Sequence, residues 1–281
     1  MTTYKEIGYD PNLVTENCIL CNVKGEFWNK KSAYGKYSKE FPNGDPKTHI
    51  KDYNLWKCPK CELIWVYDPD ENYEDVYVSG NYWNQLAEDM ARMKLTSPER
   101  IANDVKYAKL RIPSIQTFCN KGEFLEVGCS SGCLMKELKD VGFNGEGVEL
   151  DRTASDFASE YSGLQCHSGD LSTPIFNQFF DQNYYDLLIA IDVLEHLKNP
   201  LEHVEAWVKL VKRGGLIFIE LPNADWYKND IHDSYFSIQE HMYHYNRDQV
   251  VRLFKKVDCI CIHHSNPFTN DRQRLVFKRI F

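Results

Sequence analysis

At 281 residues the chain is long enough for one large α/β unit with an appendage, at about 150 residues per domain. Hydrophobic residues at 43% and charged residues at 26% exclude wholesale disorder, and 14% aromatics supply the volume for a core and an aromatic-lined pocket. A net charge of −8 excludes a general attraction to phosphate backbones, so no nucleic-acid partner is expected.

The opening MTTYKEIGYDPN is charged and has no apolar run, unlike a secretory signal. The best apolar runs, GLIFIE and YDLLIAI, are strand-sized and well short of the ~18 residues a membrane span needs. A soluble, cytoplasmic protein with no membrane partner is the expectation. Six of the ten cysteines (Cys119, Cys129, Cys133, Cys166, Cys259 and Cys261) are scattered through apolar segments and read as small core groups.

The other four form two tight pairs, Cys18-x-x-Cys21 and Cys58-x-x-Cys61. A tetrahedral zinc needs four soft ligands at about 2.3 Å, and two such turns each present two thiolates. Pro59 stiffens the second turn. A redox pair would stand at a helix start after a strand, and neither pair does. Four thiolates leave no open coordination position, so the zinc is expected to be structural. A unit this small also gains folding energy from metal. Residues 1–67 are therefore expected to form a zinc-ribbon-like domain. Between the pairs, Gly35, Pro42, Gly44 and Pro46 suggest a long loop, given a positive bias by Lys24, Lys30, Lys31, Lys36 and Lys39. A short strand Leu63–Val66 closes the ribbon.

Residues 68–118 read as an aromatic connector carrying Tyr82 and Trp83, followed by helices. One helix covers Leu86–Met93. A second starts at Ser97-Pro98 and is expected to end or kink before Pro113, which lacks a donor.

Residues 119–281 alternate short apolar runs with helical segments, the pattern of a parallel sheet covered on both faces. Strands are expected at 124–127, 147–150, 164–167, 185–191 and 216–220, with a closing antiparallel pair near 257–263 and 274–278. The stretch 222–245 reads as an irregular insertion. In such sheets ligands bind at the carboxyl ends of strands. The first strand runs into Glu126-Val127-Gly128-Cys129-Ser130-Ser131-Gly132, which lacks the glycine spacing of the dinucleotide fingerprint. Glu149 ends the second strand, where an acidic residue can hold a ribose diol; it could equally cap the next helix or face water.

These motifs, with Gly169-Asp170 and Asp192-Val193-Leu194-Glu195-His196, together resemble the class I S-adenosylmethionine-dependent methyltransferases, nearest the branch of ubiquinone-type and sugar methyltransferases. The resemblance implies a Rossmann-like seven-stranded sheet with an antiparallel last strand, preceded by the ribbon. It implies that Gly128, Ser130 and Gly132 line the methionine and ribose of S-adenosylmethionine. It also implies that Glu126 meets the donor's amino group and Glu149 the ribose hydroxyls. Asp170 and Leu171 would take the adenine, and Ile191 and Asp192 would flank the amino-acid moiety. Serine stands at 130 where the family usually has glycine, and is tolerated there if its backbone is not left-handed.

Methyl transfer to a hydroxyl or acidic carbon calls for a base near neutral pH, and histidine fits. His196 follows the fourth strand. His241, with Glu240 beside it, resembles the catalytic segment of zinc-containing sugar methyltransferases, although Ile238 and Gln239 stand where that segment has tyrosine and histidine. Either histidine could instead anchor its loop. The implied activity is methyl transfer to an O, N or C atom of a sugar or natural-product intermediate. The alternatives are an RNA or protein methyltransferase using the ribbon to bind substrate, and a non-catalytic cofactor-binding module. The oligomeric state is left open.

Overall fold

The computed structural model describes residues 15–34, 49–67, 95–230, 234–237 and 241–281. The expected helix at 86–93, the aromatics Tyr82 and Trp83, Lys36, Lys39 and Glu240 lie outside the described residues.

Two sheets share one apolar core. The larger has seven strands in the order β10-β11-β8-β7-β4-β5-β6. β4 (Glu123–Val127), β5 (Asn144–Glu149), β6 (Cys166–Ser168), β7 (Tyr185–Ile191) and β8 (Val211–Pro222) run parallel. β11 (Arg272–Arg279) lies antiparallel between β8 and β10 (Cys259–Ser265). This is the seven-stranded mixed sheet expected from the sequence. Phe124 and Leu125 of β4, and Leu187, Leu188 and Ile189 of β7, are fully buried, as central parallel strands covered on both faces require.

Local signals set the helix ends. In α1 (Pro98–Gln116) the Ser97 side chain accepts from the Arg100 amide, and proline occupies the first position. The helix runs through Pro113 rather than ending before it. Proline there removes one hydrogen bond near the carboxyl end, while buried Ile112 and Ile115 hold the last turn to the sheet and Thr117 bonds back to the Pro113 carbonyl. α2 (Cys133–Asp140) and α3 (Arg152–Ser162) cover one face; α3 is capped by Asp151 and stopped by Gly163 at φ +62°. α4 (Pro174–Asn177), α5 (Pro200–Leu210) and α6 (Ala224–Tyr227) follow. α7 (Arg247–Lys255) opens with a reciprocal capping box between Asn246 and Gln249.

The second sheet has the order β1-β2-β3-β9. β1 (Glu26–Tyr34) and β2 (His49–Lys57) form an antiparallel hairpin where a loop was expected. Charged and polar residues on both strands hid the alternation that buries Leu55. β3 (Ile64–Val66), the short strand expected at 63–66, pairs antiparallel with β2. Its other edge takes β9, Tyr243–His244, from the insertion after β8: Ile64 faces His244 and Trp65 faces Tyr243. Thus the insertion, expected to be irregular, supplies a strand to the amino-terminal sheet. One continuous cluster of buried residues joins Leu20, Leu55 and Leu63 to Leu188, Ile217, Tyr245 and Phe254. No helix among the described residues is long and apolar enough to cross a membrane.

Candidate active site

The sheet reverses its order of construction beside β4, with β5 and β6 on one side and β7 and β8 on the other. Crevices at such a point, outside the strand ends, are where open α/β sheets bind ligands. A cavity of about 480 Å³ opens there, lined among others by Glu126, Gly128, Ser130, Ile191 and Asp192. Gly128 and Gly132 have φ of +71° and +70°. A Cβ on Gly128 would come within 2.5 Å of Val193, and one on Gly132 within 2.9 Å of the Ala158 backbone in α3. Both positions therefore require glycine.

Ser130 does not meet the condition of a backbone outside this region: its φ is +48°, and that of Asp192 is +54°. The turn takes at Ser130 a left-handed geometry that glycine adopts freely, and serine holds it at a cost in backbone strain. What this returns is an aimed amide: Ser130 N donates to Glu149 Oε2 at 2.9 Å. Glu149 Oε1 accepts from Asp151 N at 3.2 Å. Burial raises the Glu149 carboxyl pKa, and these amide bonds offset part of that.

Glu126 is buried, and its Oε2 has no hydrogen-bond partner among the described residues. Burial pushes its pKa up to about 8; Arg111 pulls it down, and Cys166 and Glu149 add to the rise. An orphaned acid on the wall of a cavity suits a cationic ligand group such as an ammonium. Asp170 Oδ1 accepts from Ser172 N at 2.8 Å and lies 3.4 Å from His203 Nδ1 of α5, with Leu171 buried beside it. Glu149, Asp170 and Leu171 stand along the ends of β5 and β6, outside the residues that line the cavity.

The opposite wall carries charges that the sequence motifs did not indicate. Glu220, fully buried at the end of β8, takes Arg111 Nη2 at 2.5 Å and Arg274 Nη2 at 2.8 Å. Arg272 pairs with Asp192 and lies 3.8 Å from Glu220. Burial alone would raise the Glu220 pKa, but Arg111, Arg274 and Arg272 hold it below the usual range. Farther along α1, Asp104 takes Arg100 Nε at 2.9 Å and Ser131 Oγ at 2.8 Å, tying the helix to the glycine turn.

His196 and His241 come together, with ring centroids 4.9 Å apart at 67°. His241 also stacks on Tyr235 at 6.1 Å, and its Nδ1 has no hydrogen-bond partner among the described residues. Burial, then the neighbouring His196 and His244, push its pKa well below the usual value, so the ring is neutral at pH 7. His244 Nδ1 and the Tyr227 hydroxyl share a hydrogen bond of 3.2 Å, and burial lowers the His244 pKa to about 3. The carboxyl beside the pair is Glu195, buried, with neither oxygen hydrogen-bonded among the described residues and Oε1 3.9 Å from His196 Nε2. Burial and the Asp192 carboxylate push its pKa well above the usual value. Glu195 lies in the quoted motif, and its orphaned burial is the signal that sequence alone lacked.

Cys18, Cys21, Cys58 and Cys61 converge, with all four sulfurs within 4.8 Å of one another. The two turns are alike: Cys18 N bonds to Val23 O and Asn22 N to Cys18 O, while Cys58 N bonds to Leu63 O and Glu62 N to Cys58 O. Asn22 and Glu62 share a positive φ, 52° and 60°. Four soft donors in two matched turns fit a structural zinc. Glu195, His196 and His241 also bring ligand atoms within 4.8 Å of one another.

A glycine turn facing an acid-ended neighbouring strand across this switch point, in a seven-stranded sheet with an antiparallel β11, defines a Rossmann-like methyltransferase fold. A family model described as a methyltransferase domain matches residues 84–264, and the chain belongs to this family. It is 26% identical over 167 residues to a ubiquinone biosynthesis O-methyltransferase of Hydrogenovibrio crunogenus, covering 57% of this chain and 63% of the relative. A protein of the same description from Rickettsia canadensis is 24% identical over 146 residues, covering 52% and 60%. The match thus spans about three-fifths of these relatives' length. The solved magnesium protoporphyrin IX methyltransferase of Synechocystis PCC 6803 superposes with a TM-score of 0.54 at 12% identity, over 72% of this chain and 98% of that one. An S-adenosylmethionine-dependent methyltransferase from Mesorhizobium loti gives 0.52 at 10% identity, over 64% and 100%. At such identities these two likenesses show the fold alone.

Proposed function

We propose that the protein transfers a methyl group from S-adenosylmethionine to an O, N or C atom of a small molecule, a sugar or natural-product intermediate as the sequence motifs imply, or a ubiquinone precursor as the names of its relatives suggest. The observation that carries this reading is the buried Glu126 carboxyl, with its Oε2 unpartnered among the described residues, beside the left-handed Gly128–Gly132 turn. The bound donor supplies an activated methyl group, so alignment is the chief demand on the protein.

Glu126 and Asp192 receive the ammonium of the donor's amino-acid end. The glycine turn lets that end lie against the backbone. Glu149, held by two amides, turns its remaining lone pairs to the ribose diol, and Asp170 accepts from the adenine amine with Leu171 against the ring. His241, neutral and desolvated, takes the acceptor proton at Nδ1, and the His196 ring packed edge-on against it fixes its orientation. Tyr235 and Phe236 wall the acceptor.

Calorimetric titration of the metal-replete protein with S-adenosylhomocysteine tests the donor half. Micromolar binding is expected, with a loss of at least about tenfold in Glu149→Ala, the size of a lost charge-assisted hydrogen bond. A folded protein that does not bind overturns the reading. Acceptor screens then compare His241→Gln with the parent, and unchanged turnover removes that residue from the role.

A further inference from the structure

The residue beside His241 is held from two directions. Met242 O accepts from Val66 N at 2.9 Å, and Met242 N donates to Glu195 O at 2.8 Å. One peptide segment therefore bridges the last strand of the cysteine unit and the turn carrying Glu195 and His196. The adjoining β9 completes the ladder on β3. From Cys61 the chain enters β3 directly, so the second cysteine turn sets where that strand lies.

Two side chains of α7 lock the cysteine unit to the large sheet. Gln249 Nε2 donates to Cys61 O at 2.9 Å, and Arg252 Nη2 donates to Cys21 Sγ at 3.1 Å. An arginine on a sulfur is the partner expected of a thiolate, and four thiolates on a divalent ion carry a net charge of −2. Outer contacts of this kind orient the ligands of a metal.

We propose that the four-cysteine unit, when metal is bound, is a positioning device for the acceptor-side histidines, acting through Val66, Met242 and the β3–β9 ladder, with Arg252 and Gln249 as its anchors. The inference rests on the reading of His241 and His196 as proton-handling groups. Metal fixes the two turns, the turns fix β3, and β3 fixes the peptide from which the His241 ring meets His196. The donor end of the site, on β4, β5 and β6, is supported separately by α1, α2 and α3.

The test uses the full zinc-loaded chain with nitrogen-labelled histidine rings, read by nuclear magnetic resonance before and after chelation, with metal content checked in each sample. Chelation is expected to move the His196, His241 and His244 ring signals and leave those of His167, on β6, and His203, on α5, in place. Affinity for S-adenosylhomocysteine should stay within about twofold, as for sites with no shared partners. Arg252→Met, which keeps all four cysteines, should move the same three signals by less. Unmoved acceptor-side signals after metal loss overturn the proposal. So does collapse of every ring signal at once, because the unit would then be an indivisible part of the core. Absence of S-adenosylhomocysteine binding in the parent would overturn the donor reading, while the ring signals would still test the coupling.

Discussion

Ser130 adopts a backbone conformation that glycine reaches without cost, and holds it so that its amide can meet Glu149. Ser130→Gly should therefore relieve strain of about 1 kcal/mol, visible as a higher melting temperature with no loss of S-adenosylhomocysteine affinity. Lower stability would show that the hydroxyl contributes more than the strain costs. Glu126, with its pKa near 8, is protonated in the empty pocket at pH 7. Binding an ammonium beside it should release a proton, so the calorimetric enthalpy at pH 7 should vary with the ionisation enthalpy of the buffer. Glu126→Gln should abolish that dependence. Glu220 sits fully buried between Arg111 and Arg274, and removing one member of such a cluster leaves uncompensated buried charge. Glu220→Gln should cost about 3–5 kcal/mol in urea unfolding.

At the scale of elements, β3 shows how much one short strand can join. Trp65 in its centre is fully buried between β2 and β9, with its indole nitrogen on Thr15 O at 3.2 Å. Trp65→Ala should cost about 3–5 kcal/mol and broaden the signals of β9 along with those of β2. A loss confined to the amino-terminal strands would show that the two sheets are energetically separate. The central strands β4, β7 and β8 of the large sheet are legible because each carries an apolar run between turn residues, and 185–191 coincides with β7 to the residue; the glycine turn and the acidic strand ends then order their neighbours. The hairpin β1–β2 was not legible, because its outer length is polar and its turn chemistry resembles that of a loop. β9 was not legible for a different reason. Two residues, Tyr243 and His244, have no periodicity, and only the distant edge of β3 makes them a strand. The pairing of Arg111, Arg272 and Arg274 with Glu220 likewise joins three elements far apart in sequence. The histidine site was half legible: His196 and His241 stand out in the sequence as alternative bases, whereas their contact and the burial of Glu195 appear only in the fold.

For the molecule as a whole, the two sides of the site titrate against each other. Glu126 has a folded pKa raised from 4.5 to about 8, so the folded state binds the extra proton and this stability declines as pH rises from 4.5 through 8. His244 has a folded pKa lowered from 6.5 to about 3, and His241 is shifted the same way, so their penalty grows as pH falls below 6.5. Ligand-free protein should show a stability maximum in the mildly acidic range, measured by thermal melts across pH. Glu126→Gln should make the alkaline limb shallower, with buried Glu149 and Glu195 sustaining the rest of it, and His244→Phe should do the same to the acid limb, with His241 sustaining the rest.

The junction of β3 and β9 also bears on the order in which the chain can fold during synthesis. β3 leaves the ribosome with one edge unpaired, and its partner follows roughly 180 residues later, a wait on the order of ten to thirty seconds at typical elongation rates. Both cysteine turns are already exposed by then. A metal ion captured early would close them first, protecting an edge strand that would otherwise invite another nascent chain.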